Sequence, residues 1–496
     1  QIDFASAKEY PLKKDIVLPE NYSVEKVNCQ IKGEGHKLIF GKGATFGEFN
    51  GKLSDLTIES SGDAVFTTVS ETALIQNITV NVNAEVISKN VTSLFALTNY
   101  GTIDGVTLNV GGKMNVLAEI AEGADDGAEF VFGGLVQSNS YKVNTQTQTV
   151  YNGVVQNCKV NYTNFQLGGE VKANAMFGGV VGINSAYLLE CSVTGEIVAD
   201  TFDVAGVCSI NSGILSGSVN AANLSQTSSN TNWNPIVSGI VSRNYYVVQN
   251  CENKGSISSV STCEQSKEGQ VTAAGIVYLN GIDGVIERSK NSGAVTAKGS
   301  AKAYAGGIAA MVYARISNCL SDSEITVTAK NVFAGGILAS SEVTPYGATI
   351  YFGVAENCIS QDRISVTVIG DAPAFVGGIA GRVYEYEVNP KLYVGGGVTN
   401  SNFTGECLSE VSYFGGIVGV CGAYIHENNS YYGTDGKEYH NFKDNYYSYN
   451  AFYAFGATVT AEEEYAIVTD KGASCVSLQE IHDSKEYQAI LSIFKN

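Results

Sequence analysis

Proline, tryptophan, arginine and histidine are all scarce in this chain. Its 496 residues include 6 Pro, 4 His and one Trp (Trp233) beside 55 Gly, and there are only five Arg: Arg243, Arg288, Arg315, Arg363 and Arg382. Charged residues make up 16%, against roughly 25% in an average globular protein. A disordered chain is rich in Pro and poor in apolar residues, so a chain with 44% hydrophobic residues and so little Pro folds. No apolar run approaches the ~18 residues of a membrane span, which argues against direct membrane insertion. There is no His-Glu-x-x-His and no Cys-x-x-Cys, and the four His (His36, His426, His440, His482) do not fall at ligand spacing. No metal or other cofactor is expected. The formal net charge is −19, and a surface that negative repels nucleic acid and anionic lipid.

What the chain does have is repetition. One phrase, a Gly-Gly or Ala/Ser-Gly pair followed by Ile, Val or Leu, recurs nine times: FGGLV (132–136), FGGVVG (177–182), VAGVC (204–208), VSGIV (237–241), AAGIV (273–277), AGGIAA (305–310), AGGILA (334–339), VGGIAG (376–381) and FGGIVG (414–419). Its second glycines are Gly134, Gly179, Gly206, Gly239, Gly275, Gly307, Gly336, Gly378 and Gly416, about 35 residues apart on average, a period typical of stacked arrays. A second phrase follows it and ends in Cys158, Cys191, Cys251, Cys319 or Cys358, with Ser216, Ser289 and Ser401 in weaker copies. Short β-branched alternations come next, such as Ile-Thr-Val-Thr from Ile325, and they read as strands with one face buried. Units of short strands without helices cannot bury their apolar faces alone; stacked as coils they share one core. The expected fold is all-β, a right-handed parallel β-helix, with the hand taken from the usual crossover preference.

Residues 1–50 read as an N-terminal cap and first coil, and residues 51–421 as the β-helix. Residues 422–496 read as a Tyr-rich C-terminal cap that includes one helix over 477–491, with Leu478, Ile481, Tyr487, Ile490 and Leu491 on one face. The Gly doublets are expected to allow a tight corner or close approach between coils. The five aligned Cys are expected to stack as buried free thiols, because coils of this size need no disulfide staples. The Asn before each Cys is expected to form an amide ladder.

The Gly-[Ile/Val]-[Val/Ala]-Gly core, complete at 179–182, 378–381 and 416–419, resembles the GLUG repeat of bacterial surface proteins. The opening segment, with Asp15-Ile-Val-Leu and Ile31-Lys-Gly-Glu-Gly, is similar to the entry segment of such proteins. The resemblance implies a secreted or surface-anchored, adhesin-like β-helix. Six of the nine copies lack the closing Gly. The chain begins at Gln1 without Met, so an export signal or anchor is expected outside this sequence.

Candidate binding residues are tyrosines. Counted from the second Gly of each unit, Tyr187, Tyr245, Tyr246, Tyr278, Tyr313, Tyr346, Tyr384, Tyr386 and Tyr424 are expected near one corner. The longest insertions, 138–153, 340–352 and 382–396, fall at the same corner and add Tyr141, Tyr151, Tyr351 and Tyr393. Aligned rings with polar tips offer rigid contact area to a glycan or a cell-surface protein, or else close the corner as a structural stack. Trp233 is expected to anchor a Ser/Asn/Thr-rich insertion, and the acidic run Glu122, Asp125, Asp126 and Glu129 reads as a solvated loop because it lacks the order of a calcium loop. The functional expectation is a monomeric, non-enzymatic surface protein presenting an acidic rod to a glycan or protein. A polysaccharide-active β-helix enzyme is the alternative, requiring carboxylates that converge from neighbouring coils, and a passive spacer is the third.

Overall fold

The computed structural model describes residues 2–82, 86–89, 91–117, 129–169, 174–200, 202–228, 234–262, 269–347, 349–389, 392–409, 411, 413–421, 430–432, 438–440, 442–443, 445–447, 455–459, 465–466 and 473–495. They form two compact units, the first made of Gln1–Gln226 and Ile240–Ser242, the second of Thr227–Gly239 and Arg243–Asn496. Each is a stack of parallel β-coils, so the expected all-β parallel β-helix is the fold.

In both units a mature coil runs through three sheets. A strand of the first sheet ends at the Gly pair, as in Lys302–Gly306. A four-residue strand of the second sheet follows, as in Ala309–Val312, and then a three-residue strand of the third sheet, as in Arg315–Ser317. One turn later the third sheet resumes in a longer strand, as in Glu324–Ala329. Each strand pairs in parallel with its copy one coil on: Lys302–Gly306 with Asn331–Gly335, Ala309–Val312 with Leu338–Ser341, Arg315–Ser317 with Val354–Glu356. Along the longer strands side chains alternate between the inside of the coil and its outer surface, which is why β-branched alternation marks them.

The first unit is already coiled at its start. Glu9–Pro11 pairs with Gln30–Lys32, Ile16–Leu18 with Lys37–Phe40 and Ser23–Val27 with Thr45–Phe49. The first 50 residues therefore hold two sets of paired strands rather than a cap and one coil, and Phe4 lies 5.3 Å from Phe46. In the second unit strands continue beyond 421, since Asn402–Phe403 pairs with Asn445–Tyr447 and these with Ala473–Cys475.

The expected C-terminal helix is two short ones, α1 (Leu478–Asp483) and α2 (Lys485–Ser492). Ser484, with extended φ/ψ, ends α1 and caps α2 by accepting from the Tyr487 N–H, which interrupts the single helix that the apolar spacing alone suggests. Ile481, Tyr487 and Ile490 bury against Leu320 and Ile359 on the outer surface of two coils, while Leu478 stays exposed.

Two internal polar ladders accompany the apolar core. In the first unit four successive second-sheet strands end in Asn, and Asn99, Asn139, Asn184 and Asn211 pass amide bonds from coil to coil at 2.8, 2.9 and 2.8 Å. In the second unit Asn244 donates to Asn280 at 2.8 Å. The amide ladder exists, then, but not at the Asn-Cys phrase. There, Asn157, Asn250, Asn318 and Asn357 adopt left-handed φ of 53–54°, as do Glu190 (52°) and Arg288 (47°) at the equivalent place. Asn is chosen at that turn because it tolerates left-handed backbone.

Candidate functional site

The repeat residues position everything else in the coil. None of the nine second glycines has a left-handed φ. Their role is close approach. A methyl group added at Gly179 would stand 2.1 Å from the carbonyl oxygen of Gly206, at Gly275 2.0 Å from that of Gly307, and at Gly378 2.1 Å from that of Gly416. Gly134 and Gly336 meet the carbonyls of Gly179 and Gly378 in the same way, at 2.3 Å each, as Gly239 and Gly307 meet Gly275 and Gly336. Asn253, Asn291, Ser321 and Ser360 press on the same glycines from inside the coil. The closing Gly of the longer phrase has a similar cause: a Cβ at Gly381 would meet the Ala334 nitrogen at 2.7 Å, and at Gly419 the Val376 nitrogen at 2.6 Å.

Cys158, Cys191, Cys251, Cys319 and Cys358 are buried free thiols, as expected. Each Sγ–H donates to the carbonyl two residues earlier, at 3.1–3.3 Å. Burial, together with the neighbouring thiols Cys158 and Cys358, pushes Cys191 and Cys319 well above the ordinary thiol range. These are structural groups, not nucleophiles.

The tyrosines do not all share one register. Tyr187 pairs with Val154 and Ile214 in the third sheet, and Tyr278 lies within the second-sheet strand Val277–Asn280. Tyr245 and Tyr246 are exposed in the turn that follows Asn244. Tyr245, Tyr313 and Tyr384 do occupy the same place, immediately after second-sheet strands, with Glu342 in the coil between the last two. Those three stand six residues after the second Gly of their copies, whereas Tyr278 stands three, Tyr187 eight and Tyr346 ten after it, so counting from Gly alone mixes places on different strands. Each of the three long insertions is an antiparallel hairpin: Tyr141–Asn144 with Thr149–Asn152 in the first unit, and Val343–Tyr346 with Thr349–Phe352 and Glu385–Asn389 with Leu392–Gly395 in the second. The last two pack side by side. Tyr386 and Tyr393 lie on the third hairpin's backbone, their side chains outside the described residues; Tyr424, Trp233, Glu122, Asp125 and Asp126 also lie outside.

At this corner of the second unit the structure assembles a site that the tyrosine count alone does not reveal. Tyr304, Phe333, Phe375 and Tyr413 stack in successive coils, with centroids 5.2, 5.6 and 5.3 Å apart and nearly parallel planes. Arg382 lies across them, 4.4 Å from the Phe333 ring and 3.8 Å from that of Tyr384. Its guanidinium is fully directed: Nε donates to Ser340 Oγ (2.9 Å), Nη1 to the Tyr384 hydroxyl (2.7 Å) and Nη2 to Glu342 Oε1 (2.7 Å). Arg382 and Glu342 are 12% and 15% exposed, so this pair is shielded far more than the surface pairs of the molecule. Burial raises the Tyr384 and Tyr304 hydroxyl pKa values, and Arg382 opposes the rise. Tyr384 is nevertheless 40% exposed, and Tyr346 on the adjoining hairpin 68%, its ring 6.5 Å from Tyr351. The signal for this stack is legible in retrospect: an aromatic stands three residues before the second Gly in four consecutive copies.

Carboxylates elsewhere face bases across coils. Arg363 sits between Glu324 and Glu406 (3.5 and 3.0 Å), and Arg315 bonds Glu356 (2.9 Å). Among the described residues no three His, Cys, Asp or Glu gather as a metal site, and no helix is long and apolar enough to cross a membrane. No family model matches the chain, and no curated protein or solved structure matches it either.

Proposed function

We propose that the chain is a non-enzymatic, adhesin-like β-solenoid, secreted or held at a cell surface, whose second unit binds a glycan or protein through the corner built on Tyr384 and Tyr346. The observation that carries this reading is the fixing of an exposed tyrosine by buried chemistry. Arg382 stacks on the Tyr384 ring and bonds its hydroxyl, while Glu342 and Ser340 hold Arg382 in turn. A ring immobilised before binding loses little side-chain entropy on contact, typically 0.5–1.5 kcal/mol less than a free one. Aromatic faces beside a directed guanidinium suit the apolar faces and hydroxyls of sugars, and equally a polar protein surface. Among the described residues, Glu324, Glu356 and Glu406 are set against Arg rather than against one another, which further supports binding over acid–base hydrolysis.

The test is a glycan array and a panel of extracellular-matrix proteins, read with wild type, Tyr346→Ala and Tyr384→Ala. Tyr346 is well exposed, so its removal is expected to leave melting unchanged while cutting binding at least tenfold. A ligand bound equally well by both variants would refute the site, and an empty panel would favour the spacer reading.

A further inference from the structure

In the second unit the turns that leave the second sheet begin with tyrosine in every other coil. Tyr245, Gly281, Tyr313, Glu342 and Tyr384 follow the second-sheet strands of five successive coils. Backbone bonds hold them in one column: Gly281 N–H donates to the Asn244 carbonyl (2.8 Å), Tyr313 to Asn280 (2.8 Å), Glu342 to Val312 (2.8 Å) and Tyr384 to Ser341 (3.1 Å). Coils stand about 4.8 Å apart, so the tyrosines recur about every 9.6 Å and the three span about 19 Å.

The residues between them leave the rings free. A methyl group on Gly281 would stand 2.6 Å from Cδ1 and 2.9 Å from Cε1 of Tyr245, so that ring lies over a coil with no side chain in its way. Glu342 is turned aside to Arg382, which holds Tyr384. Tyr245 and Tyr384 are each 40% exposed, and Tyr313 is half-buried. The turns after Asn244 and Val312 have two residues and the one after Asn280 has four, whereas hairpins leave the corner after Glu342 and Tyr384. In the first unit the corresponding turns of three successive coils begin with Ser140, Ser185 and Ser212, so the corner closes without an aromatic ring.

Resting on the binding role given above to this corner, we propose that its ligand is an extended, uncharged β-1,4-linked glycan that lies along the stack with every second sugar on a tyrosine. In such a glycan each sugar is turned over relative to the last and advances by about one coil step, so the same ring face returns at every second coil. An extended peptide repeats its side chains on one side about every 6.6–6.8 Å and falls out of step with the tyrosines. Tyr rings take the apolar faces of the sugars, and their hydroxyls meet the polar rims. The net charge of −19 repels a uronate polymer, and Arg382 is already committed to Glu342.

Isothermal titration of the whole chain with β-1,4-linked oligomers of glucose and of N-acetylglucosamine, two to six sugars long, tests this. Affinity is expected to step up at three sugars, which reach two tyrosines, and again at five, which reach all three. Each step should be roughly three- to tenfold, with none at six. Tyr245→Ala is expected to keep the step at three and lose the step at five, with melting unchanged; should it melt lower, the wild-type steps decide alone. An α-1,4-linked glucose hexamer, whose chain curls, is expected to bind no better than its trimer. No binding by either β-linked series, no step at five, or a step at five that survives Tyr245→Ala would overturn the proposal. A ligand of another class, lost in Tyr346→Ala or Tyr384→Ala but indifferent to Tyr245→Ala, would also overturn it and leave the corner's binding role standing. Binding unmoved by all three variants would remove both.

Discussion

Replacing Gly275 by Ala tests whether the repeated glycines are there for close approach. The added methyl would lie 2.0 Å from the Gly307 carbonyl oxygen and 2.4 Å from Asn291 Cγ, where contact distances of roughly 3.5 Å are needed. The two coils must then part locally by about 1.5 Å. Three backbone bonds join them there: Gly275 N–H to the Gly306 carbonyl (3.1 Å), and the Ile276 and Val277 N–H groups to that of Ile308 (2.9 Å each). All three stretch beyond useful length. Overpacking costs typically 1–3 kcal/mol, and each buried bond left unmade about 1–3 more, so a loss of at least 3 kcal/mol is expected. Gly111→Ala supplies the contrast, since its nearest neighbour would be 3.6 Å away; it should be neutral or stabilise by up to about 1 kcal/mol through the unfolded chain. Denaturant unfolding, with exchange at Gln270–Ala274 and Lys302–Gly306, measures both. The reasoning fails if Gly275→Ala costs no more than Gly111→Ala.

Two further expectations follow from the turn before the thiol ladder and from the thiols themselves. Glu190 is exposed at φ 52°, so Glu190→Asn should raise stability by about 0.5–1 kcal/mol in denaturant titration, whereas Asn157→Glu, at the same turn, should lose a similar amount. Buried thiols with raised pKa alkylate slowly: with iodoacetamide at pH 8, mass spectrometry should find Cys407, the one half-buried thiol among those described, modified first. Cys191 and Cys319 should react only on unfolding.

The coil, the buried Cys and the three hairpin insertions were legible in the sequence because each leaves a mark at a fixed place in a repeat. Gly pairs mark where coils touch, small residues mark the inside, and extra length marks an outward loop. The amide ladder runs through a different asparagine from the one that the Asn-Cys phrase suggests. Asn157 and Asn139 are equally plausible by composition, and only the backbone distinguishes them: the first sits in a left-handed turn, the second points inward with its Nδ2 2.9 Å from Asn184 Oδ1. Ser484 looked like a helical residue because apolar spacing continues through it, but its side chain caps the next segment. The Arg382–Glu342 contact joins residues 40 apart whose insertions differ, so no fixed spacing announces it.

Polar ladders do for this fold what apolar packing alone does not. Val, Ile and Leu at inward positions are nearly interchangeable, so a coil sliding by two residues would keep its apolar side inward and lose little burial. The slide would carry Asn139 away from Asn99 and Asn184, leaving fully buried amides without partners at about 1–3 kcal/mol each. It would also bring residues with a Cβ to places where only Gly fits against the next carbonyl. Both penalties recur in coil after coil, so the cost of misregister grows with the stack. A single buried Asn fixes the register of a coiled coil by the same logic. Asn at the strand ends specifies one alignment in the coils that carry it, and in the later coils, where those strands end in Val312, Ser341 and Val383, it is the Gly contacts at Gly307, Gly336 and Gly378 that set Tyr384 beneath Arg382 and Ser360 beside Ser321.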